Sequence, residues 1–145
     1  MNREGIRGVN VLVERLQEEI HQVTAPWVQA LGLRVVAGSE EAIELRMPVV
    51  PALVHGGGVL SGQAIMAAAD TAMVLATSAA LGGFRPMTTV QLQTSFLRPV
   101  PRDAAELHIA CRILRKGKSL VFGEIEMSTP DGKLAAHATT TYALL

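Results

Sequence analysis

Aromatic residues make up 3% of this 145-residue chain, which holds one cysteine, one tryptophan and one tyrosine. The lone Cys111 excludes an internal disulfide and a thiolate-rich metal site, and it fits a reducing cytoplasm. Scarce aromatics argue against a single-strand nucleic-acid binder, which needs rings on which bases can stack. Neither sign of charge is in excess: 13 Lys and Arg balance 13 Asp and Glu, which removes bulk electrostatic attraction to nucleic acid. The opening MNREGIRGVNVLVERLQEEI has charges scattered through it and lacks the unbroken apolar run of a secretory leader. No repeat, low-complexity tract or flexible linker appears, and the length suits one domain over residues 1–145.

Proline is also missing from Ser61 to Leu81, and so is glycine after Gly62. That stretch consists of Ala, Met, Leu, Ile, Val and small polar residues, which predicts the longest helix of the chain. It is apolar on almost every side, as befits a membrane span or the buried axis of a domain. Asp70 near its middle, and the polar strands that follow, favour the buried axis. A carboxylate among Ala68, Ala69, Ala72 and Met73 costs several kcal/mol unless it is hydrogen-bonded or compensated. It therefore reads either as a satisfied core or interface acid, or as a base or nucleophile in a partly apolar pocket. Ahead of the helix, Gly56, Gly57, Gly58 and Gly62 leave backbone N–H groups open at the positive end of the helix dipole, a place suited to a developing oxyanion.

Around this axis the apolar positions Val9, Leu12, Val13, Leu16, Ile20 and Val23 predict an amphipathic first helix with Arg15, Glu18 and Glu19 on its polar side. Pro26 to Gly32 reads as one short turn, with Trp27 expected as a core plug. Leu33 to Ala37 and Ala42 to Pro48 predict two strands, Ile43, Leu45 and Met47 facing inward. After the Gly82-Gly83 stop, Met87 to Leu97 predicts a strand with Val90, Leu92 and Phe96 on a core face and Thr89, Gln91, Gln93 and Ser95 on a polar face. Three more strands follow, about Leu107 to Ile113, Ser119 to Ser128 and Leu134 to Leu144. Without alternating crossovers the class is α+β, an antiparallel sheet wrapped on one helix. The two-strand unit before the helix leaves an edge, which predicts continuation of the sheet across a two-fold axis into a second subunit.

The layout, with the segments PWVQALGLRVV, SGQAIMAAADTA and VQLQTSFLRPV, resembles the hotdog-fold acyl-CoA thioesterases of the phenylacetate-pathway (PaaI-like) type over residues 24 to 144. That family's pattern runs Asn-x-x-Gly-x-x-His-Gly-Gly, with a helix Asp nine residues after the His. Anchored on Asp70, it puts Ser61 at the His, Gly62 and Gln63 at the Gly pair, Gly58 at the earlier Gly and His55 at the Asn. Anchoring on His55-Gly56-Gly57 instead would place Ala64, which has no chemistry, at the Asp position.

The resemblance implies that Asp70 is the general base or nucleophile toward a thioester carbonyl, that the Gly62 N–H is the oxyanion donor, and that the two come from different subunits. It places the water-positioning hydroxyl at Thr89. His55 then either polarises the thioester oxygen or fixes the loop, Ser61 caps the helix, and Gln63 hydrogen-bonds substrate or loop. Gly58 keeps the family's earlier glycine. Arg98, Arg102, Arg115, Lys116 and Lys118 are expected at the nucleotide end of coenzyme A, where guanidinium and ammonium groups suit phosphates. The substrate is expected to be a medium-chain or aromatic acyl-CoA, hydrolysed without a cofactor by a dimer or dimer of dimers that binds neither nucleic acid nor membrane. Two other classes remain open: an acyl-CoA-binding module without turnover, and a hotdog dehydratase that uses His55 with an acid.

Overall fold

A computed structural model describes residues 3–145, with the backbone alone for residues 3–7, 9 and 10. The first helix, α1 (Arg3–Val23), begins upstream of the predicted start, and the side chain of Val9 lies outside the described residues. Six antiparallel strands follow, together with a short helix and a long one: α2 (Pro26–Gln29), β1 (Arg34–Gly38), β2 (Ala42–Pro48), α3 (Gly62–Leu81), β3 (Met87–Phe96), β4 (Glu106–Lys116), β5 (Leu120–Ser128) and β6 (Leu134–Leu144). They form one sheet in the order β1-β2-β4-β5-β6-β3, curled around α3 as the predicted α+β class requires.

Why α3 forms and stays is local chemistry. The Ser61 hydroxyl accepts from the Ala64 amide at 3.2 Å, and Gly82 closes the other end at φ 77°, a left-handed turn that suits glycine. The helix is long and apolar enough to cross a membrane, yet twelve of its 20 residues are buried within the fold. On β5 a glycine, Gly123, stands against the helix at Met73. A Cβ on Gly123 would lie 2.3 Å from the Met73 sulfur and 3.3 Å from the Arg112 carbonyl oxygen. Facing this helix, Ile43, Leu45 and Met47 point inward as the alternation predicts, joined by Leu107, Ile109 and Cys111. Burial pushes the Cys111 thiol up to about 12, so at neutral pH it packs as a small apolar group.

Three expectations are corrected. Glu19 is buried rather than on the polar side of α1: its Oε1 accepts from the Ser78 hydroxyl at 3.0 Å and lies 3.5 Å from Arg15 Nε, so the acid ties α1 to the end of α3. Trp27 is 64% exposed and plugs nothing, because the neighbouring Leu31 and Leu33 already fill the inward side of that turn. On β3 the regular alternation fails at a bulge between Thr89 and Gln91, which turns Val90 outward, 60% exposed; Phe96 is 51% exposed. The two-strand unit does leave an edge, at β1, and β3 forms the other edge of the sheet. On β1 the Gln17 side chain stands in for a neighbouring strand, its Oε1 accepting from the Val35 amide at 2.8 Å and its Nε2 donating to the Leu33 carbonyl at 3.1 Å.

Two stability measurements follow from this packing. Gly123→Val forces a branched side chain against Met73 and the β4 backbone, and should cost about 1–3 kcal/mol by urea denaturation. Ser61→Ala removes the α3 cap and should cost about 1 kcal/mol; an unchanged midpoint in either variant would contradict the packing described.

Candidate active site

Asp70 lies on the side of α3 that the sheet leaves partly open, in a half-exposed stripe with Met66, Ala67 and Val74. Two hydroxyls from neighbouring strands hold its carboxylate. The Thr89 Oγ1 donates to it at 3.0 Å from Oδ1 and 3.3 Å from Oδ2, and the Tyr142 phenol lies 2.5 Å from Oδ1 and 3.1 Å from the Asp70 carbonyl oxygen. Thr89 and Tyr142 are direct partners in the β3–β6 register, which is why both reach one carboxylate. The fold thus brings together the predicted pair Asp70 and Thr89. Tyr142 was missed, although the alternation of β6 places it on the same inward face as Ala136, Ala138 and Thr140. Burial first, and then the Asp70 carboxylate, push its phenol well above the ordinary tyrosine range, so at neutral pH it stays a proton donor.

At the start of α3 the glycine loop is less open than the sequence suggests. The Gly57 amide donates to His55 Nδ1 at 2.8 Å and the Gly58 amide to the His55 carbonyl at 3.0 Å, so both are consumed in closing the turn. Gly58 sits at φ 81°, and its carbonyl accepts from the Arg102 amide at 3.2 Å. A Cβ on Gly57 would strike the folded-back His55 ring at 2.6 Å. The imidazole is therefore packed on its own loop, an acceptor at Nδ1. With Ala64 donating to Ser61, the amides of Gly62 and Gln63 are the first-turn donors without an acceptor among the described residues. Gln63 itself is exposed, and the Phe96 ring lies against Gly62.

Along α3 the distance from Gly62 to Asp70 is about 12 Å, at 1.5 Å per residue. One carbonyl group cannot meet both within a single chain.

Beside Gly62, a cleft of about 280 Å³ is lined by Val59, Leu60, Ile65, Phe96, Leu97 and Arg98. It shares Arg98 and Pro99 with a second cleft of about 520 Å³ that runs to Thr129 and Lys133 of the β5–β6 turn. Arg102 lines a separate small cleft with Pro51 and Val54. The other predicted cations are elsewhere. Arg115, Lys116 and Lys118 sit around the β4–β5 turn near the far end of α3, where the Lys116 ammonium donates to the Ala80 carbonyl at 3.1 Å. Within one chain they do not join Arg98.

Residues 57–136 match the family model described as the thioesterase superfamily. A Saccharolobus solfataricus protein provisionally named an esterase is 29% identical over 128 residues, 88% of this chain and 89% of that one. A solved thioesterase from Haemophilus influenzae aligns with a TM-score of 0.80 at 25% identity, covering 90% of each chain. The Escherichia coli PaaI protein of the phenylacetic acid degradation operon shares the fold, with a TM-score of 0.76 at 19% identity over 92% of this chain and 96% of its own. With a six-stranded antiparallel sheet wrapped on the Asp70 helix, the chain belongs to the thioesterase superfamily and has its hotdog fold.

Proposed function

We propose that this chain is an acyl-CoA thioesterase that hydrolyses a medium-chain or aromatic acyl-CoA to the free acid and coenzyme A. The observation that carries the reading is the half-exposed Asp70 carboxylate, held by two hydroxyl groups on the otherwise buried α3 helix. Asp70 takes a proton from a water that attacks the thioester carbonyl carbon. The carbonyl oxygen, now negative, is met by the Gly62 N–H at the helix N-terminus. As the C–S bond breaks, the thiolate leaves and takes up the proton that Asp70 received. With Asp70 as nucleophile instead, its oxygen bonds to the acyl carbon, the thiolate leaves, and water opens the anhydride. Thr89 orients the carboxylate in either route.

Because Gly62 and Asp70 of one chain are about 12 Å apart, the two act on one substrate only if they come from different copies. A symmetric dimer supplies that arrangement twice. Its natural contact is the partly open face of α3 together with the β3 edge, where Val90, Phe96 and Leu97 are exposed. The cleft beside Gly62 is apolar and of a size for the acyl group or the pantetheine arm, and Arg98 at its rim suits a phosphate. Gly58 and His55 then serve by shaping the loop that presents Gly62, with Ser61 and Gln63 on the first turn beside the substrate. Arg115, Lys116 and Lys118 could meet the nucleotide end only from another subunit.

Thiol release from short, medium and aromatic acyl-CoAs should be rapid for at least one class, and Asp70→Asn should lower it by roughly a hundred-fold or more with folding intact. Acyl-CoA binding without turnover in the wild type would point to a binding module instead. Gly62→Pro gives a second test. Ser61 has φ −67° and ψ 143°, backbone that tolerates a following proline, so the first helical turn can accept the substitution while losing the N–H. Each variant alone should be nearly inactive. Mixed, unfolded and refolded together, they should recover about a quarter of the wild-type rate, since half the dimers are mixed and each has one intact site. No recovery would overturn the shared site.

A further inference from the structure

We propose that Tyr142 is a positioning residue that makes the two oxygens of Asp70 unequal, tethering Oδ1 and leaving Oδ2 to act on the substrate. This rests on the reading of Asp70 as the catalytic carboxylate. Tyr142 is 3% exposed, so its phenol needs a partner inside the protein. Two are in reach, and the closer is the carboxylate: Oδ1 at 2.5 Å against the helix carbonyl at 3.1 Å. The Thr89 hydroxyl favours the same oxygen, 3.0 Å from Oδ1 and 3.3 Å from Oδ2.

Burial alone does not ask for this. Asp70 is only partly buried, and yet two side-chain donors from the sheet converge on one of its oxygens. Convergence has a chemical effect. It fixes the torsion of the carboxylate and occupies the lone pairs of Oδ1, so Oδ2 is the oxygen presented to an attacking water or to the thioester carbon. Tyr142 can hold this post because it stays protonated as the pH rises, and because the β6 register sets it opposite Thr89. It touches no reacting atom and acts only through Asp70.

The chain has one tyrosine, so fluorotyrosine supplied during expression replaces Tyr142 alone, keeping both ring and hydroxyl. Two measurements test the tether. In the first, wild type, Asp70→Asn and Tyr142→Phe are compared for thiol release from the best acyl-CoA. Tyr142→Phe should lower kcat about ten-fold or more with KM nearly unchanged, as expected when a hydrogen bond to a charged group is lost. The acidic limb of its kcat/KM profile should also move to higher pH, since one donor to the ionised carboxylate is gone. A merely structural tyrosine would lower the melting temperature and leave both untouched. In the second, the single fluorine resonance of the fluorotyrosine protein should move on Asp70→Asn, which needs neither substrate nor a folded Tyr142→Phe.

An inactive Asp70→Asn beside a Tyr142→Phe with wild-type kcat and pH profile would overturn the tether alone. A fluorine resonance indifferent to Asp70→Asn would do the same. A fully active Asp70→Asn, or a wild type that hydrolyses no acyl-CoA, would overturn the Asp70 reading and the tether with it.

Discussion

Everything in this fold answers to one constraint: a 20-residue helix with scarcely a polar face must be surrounded. The sheet curls around it, and the inward residues are chosen for how near the helix comes. Gly123 stands where a larger residue would collide with Met73, and the inward face of β6 carries the small buried residues Ala136, Ala138 and Thr140. Close approach is also what allows a side chain on the sheet to reach a helix carboxylate. Tyr142 is the case in point: its phenol reaches both a carboxylate oxygen and the carbonyl oxygen of Asp70.

The alternation of β2, the helix stop at Gly82 and the cap at Ser61 were all legible, because each depends on neighbours in sequence. So was the unusual position of Asp70, an acid in an apolar helix. What could not be read depends on pairing across the sheet. The bulge at Val90 arises from the β3–β6 register, and no count of alternating residues reveals it. Glu19 looked solvated because its partner Ser78 lies 59 residues away. The glycine loop misled for a related reason. A run of glycines exposes amides on paper, but the turn that they allow then uses two of them on His55.

In the candidate site, the sequence pointed to single residues and the structure supplied their relations. Asp70 and Thr89 meet; Gly62 stands apart from them on the same helix; Arg98 is separated from Arg115, Lys116 and Lys118 by most of the length of α3. A helix that carries an acid near its middle and an unengaged amide at its start is suited to a twofold arrangement, where the acid of one copy can meet the amide of the other.

The bulge on β3 also sets a size limit on that edge. Beyond Val90 the regular ladder runs from Gln91 to Phe96, a length of about 20 Å at 3.3 Å per residue. Any strand that adds from outside, whether from a second copy or from a misfolded chain, meets a ladder interrupted at Val90 and not one that is regular over all of β3. Bulges are one of the ways in which edge strands are kept from pairing further, so the same kink that spoils the alternation also limits how far an added strand can run along this edge.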